Sequence, residues 1–211
     1  AIVSDDTVMP LHGEAVRDAL TEEEFEVVEF TVPAGEASKT PDKLLELVNG
    51  MVDAGLTRRD AVVALGGGVV GDLAGCAAAT FMRGIAYLQC PTSLLAQVDS
   101  SVGGKVAVDL PRGKNLFGAF HFPVAVIADT SVLSTLPERQ IACGLAEMIK
   151  HGALFSAEHF NGLVDHADGV FEGDAEVVQR LIAHSVALKA SSVSRDPHEL
   201  AEAGKGRILL N

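Results

Sequence analysis

The sequence predicts an α/β domain over residues 1–138 followed by an all-α domain over residues 139–211. Three observations point there. Up to about residue 130, β-rich runs alternate with stretches of helical period, the pattern of a sheet covered by helices. One of those runs ends in Gly66-Gly67-Gly68 and opens directly into a helix of small residues. Beyond residue 131 only helical patterns remain.

In chain order, Ile2-Val3-Ser4 reads as a strand and Pro10 to Leu20 as a helix. Phe25 to Val32 is β-rich. From Thr40, apolar residues at Leu44, Leu47, Val48, Met51 and Val52 keep helical spacing up to Gly55, a C-terminal stop. Ala61 to Leu65, Ile85 to Gln89 and Val124 to Ala128 read as buried strands. Pro137 to Phe155, Glu158 to Asp168 and Ala175 to Ser192 read as helices. The first residues resemble the tail of a strand and the last ones an apolar run, so the sequence is expected to be a segment of a longer protein.

Composition narrows the function classes. Sixteen basic against twenty-nine acidic residues give a net charge of −13, which argues against a nucleic-acid partner, since phosphate backbones need clustered Lys and Arg. An anionic small molecule is still compatible, because a basic pocket can sit inside an acidic protein. No apolar run approaches the roughly 20 residues of a membrane span, so no membrane partner is expected. Cys76, Cys90 and Cys143 show no C-x-x-C spacing and lie among apolar residues. They read as small buried hydrophobes in a reducing compartment, and the expected location is cytoplasmic.

Three stretches carry chemistry. Gly66-Gly67-Gly68-Val69-Val70-Gly71-Asp72 places glycines between a strand and a helix N-terminus, where a backbone can approach a pyrophosphate. It is neither the G-x-G-x-x-G nor the G-x-x-x-x-G-K motif, and a simple tight turn is the alternative. Between Thr92 and Asn115, Asp99, Lys105, Lys114 and Asn115 gather among glycines and alanines, with Arg83 nearby in sequence. Their cations and amide suit a phosphate or carboxylate; Thr92 and Ser93 can equally cap a helix. Finally, Glu147, Lys150 and His151 share one helical face at i, i+3 and i+4. Glu and His four apart can both ligate zinc, and an exposed polar face is the alternative.

The strings G-G-G-V-V-G-D-L-A-G, M-R-G, P-T-S-L-L-A-Q-V-D-S-S-V-G-G-K, G-K-N-L-F-G-A-F-H, L-A-E-M-I-K-H-G and R-I-L-L-N, in this order and spacing, resemble the 3-dehydroquinate synthase family of the sugar-phosphate cyclases. The resemblance implies a Rossmann-like α/β N-terminal domain binding NAD and an all-α C-terminal domain holding a divalent metal, zinc or cobalt. It also implies that an N-terminal strand and much of the C-terminal domain lie outside this sequence. For NAD it points to Asp5, the loop with Glu36 and Lys39, the turn with Gly68, Val69, Gly71 and Asp72, then Thr92, Ser93, Lys114 and Thr135. Thr7 stands where the family often has Asn.

For a small anionic sugar-phosphate, the matching positions are Arg83, Asp99, Lys105, Asn115, Glu147, Lys150, Lys189, Arg207 and Asn211. Arg83, Lys105 and Asn115 match the phosphate end, and Lys189, Arg207 and Asn211 the carboxylate end. The implied assembly is a homodimer in which the partner subunit's Arg83 completes the site. Lys105, Glu147, Lys150 and Glu202 are the implied catalytic residues, with Glu199 the alternative to Glu202. Glu147 is the implied metal ligand, joined in the family by two histidines in motifs beyond Asn211; His151 is not among them and falls back to an exposed polar face.

The implied reaction is the shikimate-pathway conversion of 3-deoxy-D-arabino-heptulosonate 7-phosphate to 3-dehydroquinate and phosphate. It proceeds by transient oxidation, elimination, re-reduction and an intramolecular aldol closure, which makes the enzyme a lyase. The competing readings are another sugar-phosphate cyclase, a metal-dependent alcohol dehydrogenase, and an inactive NAD-binding fragment. The 211-residue polypeptide by itself is expected to be inactive.

Overall fold

The computed structural model describes residues 1–200 and forms two compact units. The first comprises residues 1–91 and 104–127, and the second 92–103 with 128 onward. The chain therefore does not divide by the single cut at 138 that the change in pattern predicts. Thr92 to Gly103 leaves the α/β part and supplies Leu94 and Val98 to the helical core.

In the first unit, strand β1 (Ile2–Asp5) is followed by helix α1 (Glu14–Glu22), β2 (Glu29–Val32), α2 (Pro41–Asp53), β3 (Ala61–Gly66), α3 (Gly68–Thr80) and β4 (Ala86–Pro91). Two further strands, β5 (Lys105–Leu110) and β6 (Gly113–Phe120), form an antiparallel hairpin, and β7 (Ala125–Val126) closes the unit. The remaining five strands make one parallel sheet in the order β2-β1-β3-β4-β7. This is the expected α/β architecture.

The sequence explains most of these elements. Thr40 caps α2, its hydroxyl accepting from Lys43 N at 3.3 Å, and Gly55 ends the segment at φ +78°. Val62 and Tyr87 on β3 and β4 are fully buried. Helix α3 is apolar all round, as suits a helix covered on more than one side. Its small residues permit close approach: a Cβ on Gly75 would lie 2.4 Å from Val106 of the hairpin.

Two expectations need correction, and one element was not expected. The run Val124 to Ala128 is not a buried strand: β7 spans two residues at the sheet edge, with Val124 and Ile127 well exposed. The β5–β6 hairpin has no counterpart in the sequence reading. Cys143 is exposed, whereas Cys76 is buried and Cys90 half-buried.

The second unit packs α4 (Glu138–Phe155), α5 (Ala157–Glu172) and α6 (Ala175–Arg195) with the helical turn Ala96–Ser100. Ser156 ends α4 and caps α5 by accepting from His159 N at 3.1 Å, and Asp174 caps α6. Leu94, Leu145, Met148, Leu163, Leu181 and Ile182 form the core. Gly144 lets α4 close on Leu94, since a Cβ there would stand 2.4 Å from Leu94 Cγ. Among the described residues, no helix is long and apolar enough to cross a membrane.

Polar groups are buried in this core as well. His159 is 1% exposed, neither ring nitrogen has a hydrogen-bond partner among the described residues, and its ring sits 4.7 Å from that of His184. Burial, and then His184 and His151, push its pKa down to about 4. Because the folded value lies below the unfolded one, the unfolded chain takes up the proton first, and stability present above pH 6.5 is lost as the pH falls toward 4. The loss expected from this residue is on the order of 3 kcal/mol. Urea unfolding at pH 7 and pH 4.5 should show a shallower loss for His159→Leu than for the unchanged chain; equal slopes would refute the assignment.

Candidate active site

In the parallel sheet, β1 lies between β2 and β3, so the connections leaving β1 and β2 lead to opposite sides. The carboxyl ends of β1 and β3 therefore flank a topological switch point, where α/β sheets hold ligands. Asp5 ends β1 and accepts from the backbone N–H groups of Thr7 and Val8 at 2.9 and 2.8 Å. Gly66 ends β3, and Gly67 caps α3 with no side-chain acceptor. The N–H groups of Gly68 and Val69, both half-buried, in the first turn of this 13-residue helix thus have no side-chain capping oxygen. Such a helix start suits a pyrophosphate. A Cβ on Gly71 would stand 2.7 Å from Gln89 Oε1, so a side chain there would push the end of Gln89 aside.

Five of the singled-out residues meet beside this helix start. Lys39, 4% exposed, reaches both Asp72 Oδ2 and Asn115 Oδ1 at 2.5 Å. Asn115 N donates to Asp109 at 2.7 Å, and Asp109 N donates to the Lys39 carbonyl at 2.8 Å. Lys114 pairs with Glu36 at 2.8 Å. The hairpin that the sequence does not announce therefore carries Lys114 and Asn115 to the loop of Glu36 and Lys39, and it begins at Lys105. Asn115, matched to the substrate phosphate by resemblance, shares its amide oxygen with Lys39 of the cofactor set. Burial raises the Asp72 pKa, and the Lys39 ammonium opposes that rise. Arg83 is elsewhere: it is exposed in the turn after α3, at the end opposite Gly68 and about 18 Å along the axis at the usual helical rise. Met82, Arg83 and Gly84 all have positive φ.

In the second unit, Glu147, Lys150 and His151 project from α4, Lys189 from α6, and Asp99 from the turn at 96–100. Lys150 pairs with Glu147 at 2.5 Å. Lys189, 6% exposed, donates to the Asp99 backbone carbonyl at 2.5 Å and to its carboxylate. Ligating atoms of Asp99, Glu147 and His151 all lie within 4.8 Å of one another. His151 overturns the exposed-face expectation: it is fully buried, with Nδ1 against Ser185 Oγ at 2.7 Å and Nε2 without a hydrogen-bond partner among the described residues. Burial is the main reason its pKa falls to about 4, so the ring is neutral at pH 7. One neutral imidazole nitrogen and two carboxylates fit a divalent cation such as zinc or cobalt.

Thr92 is buried, and Ser93 does what a capping residue does, accepting from Ala96 N at 3.2 Å. Thr135 hydrogen-bonds its own turn through Val132 O. Glu202, Arg207 and Asn211 lie outside the described residues. Ser185 has no signal in the sequence. His151 has one, its i+4 spacing from Glu147, and only the packing of α6 on α4 gives it weight.

The fold and the two clusters together define a class: a Rossmann-like α/β unit with a helix start open to phosphate, followed by a helical unit with a cation-type donor set. Comparison with known proteins makes this specific. Residues 29–143 match the model of the 3-dehydroquinate synthase N-terminal domain, and residues 144–211 that of the C-terminal domain. The chain belongs to the 3-dehydroquinate synthase family. It is 50% identical over 211 residues to the 3-dehydroquinate synthase of Symbiobacterium thermophilum, covering all of this chain and 58% of that protein. Among solved structures it resembles 2-epi-5-epi-valiolone synthase from Streptomyces hygroscopicus subsp. jinggangensis 5008, solved with NAD+ and Zn2+, at 30% identity. The TM-score is 0.90, over 94% of this chain and 56% of that one. It also resembles 2-deoxy-scyllo-inosose synthase complexed with carbaglucose-6-phosphate, NAD+ and Co2+, at 30% identity and a TM-score of 0.80, over 94% and 55%. The chain thus spans somewhat more than half the length of these relatives.

The Lys39 pair yields a prediction. Removing the ammonium by Lys39→Met strands a largely buried carboxylate, with an expected loss of about 3–5 kcal/mol at pH 8. The loss should shrink toward pH 5, because Asp72, its pKa then raised further, takes a proton more readily in the folded chain than in the unfolded one. Denaturant curves at the two pH values test this, and a loss independent of pH would contradict it.

Proposed function

We propose that this chain is part of a cytoplasmic lyase that converts 3-deoxy-D-arabino-heptulosonate 7-phosphate to 3-dehydroquinate and phosphate, with NAD and a divalent cation. The single observation that carries the reading is the cluster of Asp99, Glu147, Lys150, His151 and Lys189, in which donors for a cation and ammonium groups for an anion occupy one place. Identity of 50% to a dehydroquinate synthase, against 30% to the two other cyclases, favours this substrate over theirs.

When bound, NAD supplies reversible oxidation at one substrate carbon and the cation polarises the oxygen there. The chain's own residues do the holding. The α3 start at Gly68, Val69 and Gly71 receives the pyrophosphate, Asp5 the ribose hydroxyls, and Lys39, Asp72, Glu36 and Lys114 fix the walls of that crevice, with Thr92, Ser93 and Thr135 as further contacts. Glu147 holds the cation. Lys105 and Asn115 orient the substrate phosphate, Lys150 neutralises charge as phosphate leaves, and Lys189, Arg207 and Asn211 bind the carboxylate. Glu202 handles the proton. Arg83, at the far end of α3, serves a partner's site in a homodimer; its distance from Gly68 along the helix supports that assignment.

The test is phosphate release from the sugar phosphate. A protein of the relatives' length is expected to release phosphate only with NAD and zinc or cobalt present, and Glu147→Gln should reduce the rate by at least about 100-fold. The 211-residue chain should bind NAD without releasing phosphate. No release from the longer protein under these conditions would overturn the proposal.

A further inference from the structure

His121 ends the string G-K-N-L-F-G-A-F-H and has no part in the proposed chemistry, yet the structure makes it a junction. It follows β6 directly, and its backbone N–H donates to the carbonyl of Gly104 at 2.6 Å, one residue before Lys105 opens β5. Its half-buried ring stacks on the fully buried Tyr87, with centroids 5.3 Å apart and planes 16° from parallel. The Tyr87 hydroxyl donates to the His121 carbonyl at 3.1 Å, so ring and backbone are both fixed. Held this way, the ring places Nε2 2.9 Å from Ile85 O. A carbonyl only accepts, so the hydrogen of this bond sits on Nε2.

Ile85 closes the turn that presents Arg83. Met82, Arg83 and Gly84 have φ of +47°, +74° and +116°, and the first two carry side chains in a region that L-residues disfavour. A turn of this kind keeps its shape only where its surroundings hold it. Gly84 N donates to Phe81 O and Ile85 N to Ala78 O, both at 2.9 Å, which ties the turn to the end of α3. Two side chains brace it from elsewhere: Arg58 Nε donates to Met82 O at 3.4 Å, and His121 Nε2 to Ile85 O. The His121 bond is the shorter, and its ring lies against Gly84, where a Cβ would stand 3.9 Å from Cε1. One side chain therefore braces the turn of Arg83, while the backbone of the same residue fixes the start of the strand that carries Lys105.

We propose that His121 is a positioning residue for phosphate. Through Ile85 it sets the direction of Arg83, and through Gly104 that of Lys105, without touching the ligand itself. This rests on the proposed function in taking Arg83 and Lys105 as contacts to the phosphate. The guanidinium that serves a partner's site and the ammonium that serves the chain's own site thus share one support.

Inorganic phosphate titrated into an NAD-loaded protein of the relatives' length, followed by phosphorus NMR line broadening, tests this without turnover. His121→Phe keeps a ring on Tyr87 and removes the Nε2 hydrogen. It should weaken phosphate about fivefold, the worth of one neutral hydrogen bond, while NAD affinity stays within about twofold. His121→Gln, whose amide nitrogen reaches as far as Nε2, should recover most of the loss. In an Arg83→Gln background, adding His121→Phe should change phosphate affinity by less than about twofold, because the effect passes through the missing guanidinium. Unaltered phosphate affinity in His121→Phe, a parallel fall in NAD affinity, or full additivity with Arg83→Gln overturns the proposal. Nitrogen NMR of the unsubstituted 211-residue chain needs no variant and should find the His121 hydrogen on Nε2; a hydrogen on Nδ1 alone overturns the proposal as well. Absence of phosphate release from the sugar phosphate would refute the reaction and leave phosphate affinity to judge His121. Release together with unaltered phosphate affinity in His121→Phe would refute the role of His121 alone.

Discussion

A buried ammonium is tolerated only where oxygens reach it, and meeting that condition at Lys39 organises the first unit. Asp72 lies in the second turn of α3, Asn115 on the hairpin, and Lys39 itself on the loop after β2, so one side chain ties three separate segments. The Asp109 bonds to Lys39 O and from Asn115 N close the same knot through the backbone. With the hairpin so fixed, its lysine and asparagine stand beside the open start of α3. The pair is worth little as net stability, since desolvation offsets attraction; its contribution is register.

Small residues make that arrangement sterically feasible. Gly75 admits Val106 against α3, and Gly118 admits the backbone of β5, where a Cβ would stand 2.0 Å from Val106 O. Gly144 does the same for α4 and Leu94 in the second unit. In a chain of net charge −13 these lysines are neutralised internally: Lys39 by Asp72, Lys114 by Glu36, Lys150 by Glu147 and Lys189 by Asp99. Ligands that compete for one partner of such a pair release the other.

Much of the fold was legible because periodicity reports burial. The helices at 41–53, 138–155 and 175–195 and the strand at 61–66 fall where apolar spacing and caps put them. The hairpin was not legible, because β6 is exposed at seven of its eight positions and shows no alternation. The edge run at 124–128 misled for the opposite reason: it is apolar without being covered. At the site, motif spacing singled out Asp72 and Glu147, and the family resemblance pointed to Lys39 and Lys189. Their pairing depends on contacts between positions as distant as 99 and 189, which no local pattern encodes. His151 is the clearest case, since its meaning comes from Ser185 on another helix.

The discontinuity of the helical unit has a consequence for how the chain is made. Leu94 and Val98 belong to a core whose other members begin at Leu133 and extend to Ile182. On a ribosome adding about 5–20 residues per second, those two apolar side chains emerge seconds before anything exists to cover them. The first unit, by contrast, has all of its described strands once residue 127 is out. The strands described for the first unit are therefore all out while Leu94 and Val98 wait in solvent, and that interval is when a nascent chain of this protein is most exposed to chaperones and to aggregation.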